Sequence, residues 1–314
     1  MPVYNGERFL AEAIESILQQ TFTDFEFLIV DDGSMDGSLA IIQDYAERDP
    51  RIRILELPEN KGVSIARNTG ITQASGKLIT GMDSDDISLP QRLEKQVAYL
   101  EAHPDIGAVG VSHQVCSEDL IPVVSQHLPA RHHSIVLHHT LYTRTAMKCA
   151  NMMLRREYLD IEPLYDPTLA YSADVDLFMR LVWEKSIRFA NLTEQLYLYR
   201  RHAHTQANRH RAIYGEAIIQ ARRPALRQLG ERGIGVEWIV QKRPPIALTR
   251  SERRRARRDL MRLIAAMVEH NWVDANDEPL LLDEMNQLLE STMPRYWQMF
   301  LHWYRHRIAR HIHR

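Results

Sequence analysis

The sequence contains no long hydrophobic run. No segment reaches about 18 consecutive apolar residues, the length typical of a helix that crosses a membrane. Pro2 and the pair Asn5-Gly6 interrupt the amino terminus, where the apolar core of a signal peptide would be needed. We therefore expect a cytoplasmic protein.

Cysteine is scarce, and neither sign of charge dominates. The two cysteines, Cys116 and Cys149, are far apart and belong to no C-x-x-C pair, which argues for a reducing compartment and against a structural zinc site. The net charge of −2 creates no overall field that would attract nucleic acid. With 314 residues, the chain can bury the core of one large domain or of two smaller ones.

Short apolar segments alternate with helical patterns at the start of the chain. Strands are predicted at residues 25–30, 52–57, 77–82 and 106–111, with a helical pattern in each interval. Such alternation is typical of the α/β class, with a doubly wound, mostly parallel, Rossmann-like sheet. We expect one domain over residues 1–205, divided near residue 111 into halves 1–111 and 112–205, followed by an all-helical extension over 206–314.

Acidic residues follow two of the predicted strands. Asp31 and Asp32 end the first, and Asp83-Ser84-Asp85-Asp86 follows the third. Because parallel strands deliver their carboxyl ends to the same edge of a sheet, both acidic corners should border one crevice. Clustered carboxylates need a counter-charge, and oxygen ligands of this kind suit Mg²⁺ or Mn²⁺. Taken alone, residues 83–86 are equally well interpreted as an Asp-rich turn before the next helix.

The carboxyl-terminal region is helical and rich in arginine. Helices are predicted at residues 212–229, 250–269, 278–290 and 296–312, with an arginine-rich run at 253–258. We interpret the region as an appendage that packs on the first domain and leaves its arginines in solvent. The alternative is peripheral contact with an anionic membrane surface. No nucleic-acid-binding module accompanies the arginines, so no nucleic acid partner is expected.

Several motifs occur together, in an order that is typical of one family. They are Pro2-Val-Tyr-Asn-Gly6, Ser16-Ile-Leu-Gln-Gln-Thr-Phe22, Phe27-Leu-Ile-Val-Asp-Asp-Gly-Ser34, Asn60-Lys-Gly62, Ala66-Arg-Asn-Thr-Gly70 and Asp83-Ser-Asp-Asp86 followed by Pro90-Gln-Arg-Leu93. Over residues 1–205 the chain resembles the family 2 glycosyltransferases of GT-A fold. The resemblance implies transfer of a sugar, with inversion, from a nucleotide diphosphate donor with the aid of a divalent cation, Mg²⁺ or Mn²⁺.

The resemblance also implies roles for individual residues. Asp32 matches the residue that reads the uracil base, and Asp31 supports it. Asp83 matches the acid near the ribose, and Asp85 the metal ligand, with Asp86 supporting the metal site and His202 as a metal or phosphate contact. The remaining nucleotide-pocket positions match Pro2, Tyr4, Glu7 and Arg67.

The catalytic base implied by the resemblance is Asp174. Its segment is Ala173-Asp174-Val175-Asp176-Leu177-Phe178, and Ala173 stands where the family usually has Glu. A carboxylate can accept the proton of the acceptor hydroxyl as that hydroxyl attacks. Without the resemblance, Asp174 and Asp176 are interpreted simply as acids in the first turn of a helix, where the helix dipole favours them.

Residues 112–150 contain a histidine-rich stretch. The members are His127, His132, His133, His138 and His139. The adjacent pairs do not project from one helix face, and no Cys or Glu completes a zinc pattern. We interpret the stretch as a surface loop or a flap on the acceptor side, with a metal site as the less favoured alternative.

The chain departs from the family at Pro2, because family members have an apolar strand immediately before this motif. We expect that strand to be missing from this chain. The overall expectation is a UDP-sugar-dependent enzyme that acts on a growing surface glycan or a lipid-linked sugar. Two alternatives are a sugar-nucleotide-binding protein without activity, which Ala173 would permit, and a nucleotidyltransferase, which would need a Gly-rich basic loop that the sequence does not contain.

Overall fold

The first part of the chain forms a small parallel sheet with helices. The computed structural model describes residues 1–141, 146–169, 172–203, 211–230 and 250–291. The sheet has the order β1-β2-β3, and every pair is parallel. Its elements are β1 (Pro2–Val3), α1 (Glu7–Leu18), β2 (Phe27–Asp31), α2 (Ser38–Arg48), β3 (Ile52–Glu56) and α3 (Val63–Gln73).

Strand β2 is the centre of this sheet, and all of its residues are buried. Helix α1 covers it with an apolar stripe that includes Leu10, Ile14 and Ile17. A parallel sheet is buried beneath helices, so its central strands are apolar throughout and each covering helix is apolar on the side that faces the sheet. The amphipathic spacing seen in the sequence therefore fixes which face of α1 points inward.

The second sheet is mixed. Its strand order is β4-β8-β6-β9-β5, and β7 pairs with β6. Strands β6 and β9 are parallel, and all other pairs in this sheet are antiparallel. Its elements are β4 (Leu78–Thr80), β5 (Ile87–Ser88), α4 (Arg92–Ala102), β6 (Ala108–Cys116), β7 (Pro122–Gln126), α5 (His132–Leu141), β8 (Met153–Arg155), a 3₁₀ turn (Arg156–Tyr158), α6 (Ala173–Lys185) and β9 (Phe189–Arg200).

The predicted α/β class is confirmed, but the strands predicted at residues 77–82 and 106–111 belong to the second, mixed sheet. Strand β4, expected beside the other early strands, pairs antiparallel with β8. The partner comes from a short apolar segment about seventy residues later, which local sequence pattern does not mark as a strand. The acids after β4 therefore lie where the two sheets meet.

The histidine-rich stretch differs from the prediction, because most of it forms helix α5. His127, which precedes the helix, is exposed, whereas His132, His133 and His139 of the helix are buried. The ring of His139 stacks on Phe178 with centroids 3.6 Å apart, and His132 Nε2 lies 2.8 Å from the carbonyl oxygen of Trp272. Burial lowers the pKa of His132 to about 4, which favours the neutral ring. The surface-loop interpretation is thus wrong for residues 132–139, because the apolar residues between the histidine pairs draw the helix into the core.

The carboxyl-terminal helices pack on the domain that precedes them. They are α7 (Arg211–Gln228), α8 (Arg250–Glu269), a 3₁₀ turn (Ala275–Asp277) and α9 (Glu278–Ser291). Leu260, Leu263 and Ile264 of α8 share one core with Ile135 of α5 and Phe178 of α6. The arginines 254, 255, 257 and 258 of α8 are exposed, as the appendage interpretation expects. The helix predicted at 296–312 lies outside the described residues.

Within the described part of the chain, every helix is too short or too polar to cross a bilayer. A cavity of about 820 Å³ is lined by residues of β2, α3 and β4. The amino group of Met1 donates a hydrogen bond to the Leu28 carbonyl oxygen at 2.8 Å, and burial lowers its pKa to about 5. The cavity adjoins the start of β1, because Met1 and Pro2 are among its lining residues.

Candidate active site

The first acidic corner lies at the end of β2 and is held by backbone amides. Asp32 is 2% exposed, and its two oxygens accept hydrogen bonds from the amides of Lys61 at 2.8 Å and Gly62 at 2.9 Å. Asp31 accepts one from the amide of Ser34 at 3.2 Å. The intervening Gly33 has φ +69°, and a Cβ there would fall 2.6 Å from the backbone of Glu59. The corner is therefore a rigid turn tied to residues 59–62.

The loop after β1 forms one wall beside this corner. Pro2 pairs with Val30, and the amide of Asp32 donates to the Val3 carbonyl oxygen at 2.8 Å. Glu7 accepts a hydrogen bond from the amide of Gly37 at 2.7 Å, which ties α1 to the turn after β2. The side chain of Tyr4 is half exposed. The structure thus places these predicted nucleotide-pocket positions next to Asp31 and Asp32.

The second acidic corner follows β4, and each of its carboxylates has a different partner. Asp83 forms an ion pair with Arg67 at 2.8 Å, and Asp85 lies 2.9 Å from Nε2 of His202. Asp86 accepts a hydrogen bond from the backbone amide of Arg200 at 2.8 Å. This corner is therefore joined to α3 through Asp83, to β9 through Asp86 and to the segment after β9 through Asp85.

The two corners border one crevice. A Cβ placed on Gly6, in the loop after β1, would lie 3.5 Å from Oγ of Ser84, so the loop beside the first corner touches the second. The sequence predicts that the two corners lie together because they follow strands of one parallel sheet. They do lie together, although β4 belongs to the second sheet and pairs with β8.

Arg67 is the cation between the two predicted subsites. Its guanidinium lies 5.4 Å from the ring centroid of Tyr165. Burial acts to lower the pKa of Arg67, but the neighbouring Asp83, Tyr165, Cys149 and Asp174 together outweigh burial and raise it. The surroundings of Arg67 therefore favour its charged form.

Asp86 sits behind the exposed acids. It is 1% exposed, and burial, reinforced by Asp85 and Asp83, raises its pKa well above the usual range. A carboxyl group in that position supports the backbone of β9. Its direct ligation of a metal stays a prediction.

Arg200 organises this corner, and sequence reasoning missed it. Its Nε donates to the carbonyl oxygen of Asp85 at 2.8 Å, and another of its nitrogens donates to that of Glu118 at 2.7 Å. It also pairs with Glu12 and lies over the ring of Phe9. The only signal in the sequence is its position two residues before His202.

Asp174 lies in the first turn of α6. Its Oδ1 accepts a hydrogen bond from the amide of Val175 at 2.9 Å. Burial raises its pKa, and the positive charges of Arg67 and Lys148 oppose that rise. Asp176 is instead occupied by an ion pair with Arg180 at 2.8 Å. Of the two acids of this turn, Asp174 is therefore the one whose charge interacts with the crevice.

Lys148 is a second residue that sequence reasoning missed. Its Nζ lies 3.3 Å from the ring centroid of Tyr199. Burial lowers its pKa, while Asp86, Asp83, Asp174 and Asp85 act to raise it. Those interactions place a lysine among the predicted metal ligands and the predicted base. It comes from the segment before β8, which shows no motif.

The metal-binding potential of the crevice centres on Asp85 and His202. Across the described ranges, no group of three or more His, Cys, Asp or Glu residues is arranged to hold a metal by itself. A carboxylate oxygen and an imidazole nitrogen 2.9 Å apart fit a divalent ion that takes its remaining ligands from a phosphate and water. The residues therefore fit a metal that binds together with a nucleotide.

The fold and this crevice define a glycosyltransferase of the GT-A class. The family model described as "Glycosyl transferase family 2" matches residues 1–161, and the chain belongs to that family. The chain is 34% identical over 213 residues to EpsE of Bacillus subtilis (strain 168), and the aligned region covers 64% of this chain and 71% of EpsE.

Solved structures share the fold over most of the chain. S. aureus TarS 1–349 in complex with UDP-GlcNAc superimposes with a TM-score of 0.56 at 17% identity, covering 93% of this chain and 88% of that one. The mannosyltransferase PcManGT from Pyrobaculum calidifontis, in complex with GDP-Man and Mn²⁺, gives a TM-score of 0.53 at 17% identity, covering 91% and 78%. At these identities the likeness establishes the fold alone.

Proposed function

We propose that this glycosyltransferase moves a sugar, with inversion, from a nucleotide diphosphate donor to a hydroxyl group of a glycan or lipid-linked acceptor. UDP-sugars are the proposed donors, and surface polysaccharide synthesis is the proposed setting, in the cytoplasm, with peripheral membrane contact through the basic helices. The observation that carries the proposal is the crevice in which Arg67 pairs with Asp83, Asp85 meets His202, and Asp174 interacts with Arg67.

The first corner and its loop form the proposed nucleoside subsite. Asp32 would accept a hydrogen bond from the imide of the base, with Asp31, Pro2, Tyr4 and Glu7 shaping the pocket. A carboxylate already fixed by the amides of Lys61 and Gly62 cannot swing away, so it presents a fixed acceptor to the base. The complexes of TarS with UDP-GlcNAc and of PcManGT with GDP-Man support a nucleotide-sugar donor.

The second corner forms the proposed diphosphate subsite. Asp85 and His202 would hold Mg²⁺ or Mn²⁺, with Asp86 behind them, and the Mn²⁺ in the PcManGT complex supports this choice. Such an ion neutralises charge that builds on a departing diphosphate. Asp83, oriented by Arg67, would contact the ribose.

Asp174 is the proposed general base. Inversion requires the acceptor oxygen to attack the anomeric carbon on the face opposite the departing diphosphate. A carboxylate on that face takes the proton as the new bond forms. The hydrogen bond from the amide of Val175 holds Asp174 in its rotamer, although Ala173 provides no companion acid.

The proposal is tested by screening donors. Purified protein is incubated with UDP-glucose, UDP-N-acetylglucosamine, UDP-galactose or GDP-mannose in Mn²⁺, in Mg²⁺ or in EDTA, and release of the nucleoside diphosphate is measured. We expect release from at least one UDP-sugar with a divalent ion, and none in EDTA. Folded protein that releases no nucleotide from any donor, with or without an acceptor extract, would contradict an active enzyme and favour the alternative of a binding protein.

A further inference from the structure

The segment that carries Lys148 lies between the second acidic corner and the start of α6. A Cβ on Gly81 would fall 2.5 Å from the carbonyl oxygen of Cys149, so the two stretches of backbone are in direct contact. Sγ of Cys149 lies 4.0 Å from the carbonyl oxygen of Asp174. Lys148 is therefore held between the acids proposed to bind the donor and the proposed base.

The ammonium group of Lys148 rests on an aromatic ring. Its Nζ is 3.3 Å from the ring centroid of Tyr199, a favourable cation–π contact. Among the residues that the structure describes, it has neither a hydrogen-bond partner nor an ion pair. Within that part of the chain its capacity to donate hydrogen bonds is unused, although negative charge surrounds it.

The arginines nearby are already committed to the protein. Arg67 pairs with Asp83, and Arg200 binds the carbonyl oxygens of Asp85 and Glu118. Arg92 is fully buried and donates to Ser88 at 2.7 Å. Lys148 is consequently a buried cation of this neighbourhood, within the described residues, that is left to meet a ligand.

We propose that Lys148 binds the diphosphate of the donor, on the side of the crevice that faces Asp174. This inference rests on the proposed function. A diphosphate that enters beside Asp83, Asp85 and Asp174 adds negative charge to an acidic site, and one divalent ion together with the Arg67 that pairs with Asp83 does not balance the total. An ammonium donor placed there lowers the energy of the bound diphosphate and of the charge that grows on it during transfer.

In the proposed transfer step, Lys148 neither gains nor loses a proton. The bond between the anomeric carbon and the diphosphate oxygen breaks, and its electron pair stays on that oxygen. The acceptor oxygen forms the new bond to the same carbon, and its proton passes to Asp174. Lys148 keeps its protons and donates hydrogen bonds to the leaving diphosphate throughout.

The experiment compares ligands with and without the second phosphate. Binding of UDP and of UMP is measured by calorimetry, in Mn²⁺ and in EDTA, for the unaltered protein, Lys148→Met, Lys148→Arg and the control Lys95→Met. Lys95 is a suitable control because it pairs with Glu194 at the surface, away from the crevice. Thermal melting confirms that each variant is folded.

We expect Lys148→Met to weaken UDP binding by about tenfold or more, the value of one charge-assisted hydrogen bond, and UMP binding by much less. Lys148→Arg should recover most of the UDP affinity, and Lys95→Met should change neither. Equal losses for UDP and UMP, or an unchanged UDP affinity, would overturn the role of Lys148 while leaving the proposed function intact. If the unaltered protein binds neither UDP nor UMP, the proposed function fails, and this inference with it.

Discussion

The two acidic corners look alike in the sequence, yet their carboxylates are held by different kinds of partner. After β2, the charge of Asp32 is met by the backbone amides of Lys61 and Gly62. After β4, Asp83 is met by the guanidinium of Arg67 and Asp85 by the imidazole of His202. Backbone amides are permanent partners, whereas side chains can move aside for another cation.

This difference separates recognition from chemistry. A carboxylate held by the main chain presents the same acceptor in every state of the enzyme, which suits the reading of a base. A carboxylate held by a side chain can exchange that partner for a metal ion that arrives with the substrate. We expect substitutions at the first corner to affect binding regardless of metal, and substitutions at the second to depend on it.

The largest effect is expected for Asp174→Asn. The amide cannot accept the proton of the acceptor, so transfer should fall by about 10²- to 10⁴-fold. UDP affinity should change little, because Asp174 is not proposed to bind the nucleotide. Calorimetry with UDP and a transfer assay separate the two quantities, and full transfer activity in this variant would remove Asp174 from the role of base.

A large, metal-specific effect is expected for Asp85→Asn. Loss of a charged ligand should lower activity at low Mn²⁺ by about 100-fold, with partial recovery as Mn²⁺ is raised. A titration of activity against Mn²⁺ measures this shift. The idea would be contradicted if half-maximal activity required the same Mn²⁺ concentration in variant and unaltered protein.

An intermediate effect, independent of metal, is expected for Asp32→Asn. The amides of Lys61 and Gly62 lose a charged acceptor at the buried position 32, so the free energy of unfolding should fall by about 1–3 kcal/mol. UMP affinity should fall by the same factor in Mn²⁺ and in EDTA. Urea unfolding and calorimetry measure these quantities. A loss of UMP affinity that occurs only in Mn²⁺ would contradict the claim that the first corner acts independently of the metal.

The smallest effect is a shift in the pH dependence of activity. Asp174 acts in its ionised form, so activity should be present above its pKa and lost as the pH falls through it. Burial raises that pKa, and the acid limb should therefore lie above 3.8, the ordinary value. Lys148→Met removes a charge that opposes this rise, so the limb should move to higher pH, while Lys95→Met leaves it in place. A limb that does not move would show that Lys148 and Asp174 do not interact.

Local pattern predicted the parts of the fold that are continuous in sequence. The buried strand at residues 25–30 and the helices that follow each early strand show clear periodicities, and the turn at Gly33 has a sequence signature. The acids of both corners were found because they directly follow such strands. The family resemblance then supplied Asp174, which helix pattern alone would have assigned to the helix dipole.

The remainder depends on contacts between distant segments. Strand β8 becomes a strand because it pairs with β4 and β6, and its three residues carry no period of their own. Helix α5 is buried because α6, α9 and β9 pack against it, so histidines that look polar in the sequence are core residues in the structure. Lys148 lies in the site because the backbone of its neighbour Cys149 packs against that of Gly81, which is distant in sequence.

The shared core of α5, α6 and α8 also affects how the protein folds and where it can be truncated. The boundary expected at residue 205 separates chemical roles, but Ile135 and Phe178 on one side pack in the same cluster as Leu260 and Ile264 on the other. A fragment that ended at 205 would expose this apolar surface to water and would tend to aggregate during expression. The residues of the proposed active site and the arginine-rich helices therefore belong to one folding unit. A substitution that destabilises either part should lower the yield of the whole folded protein.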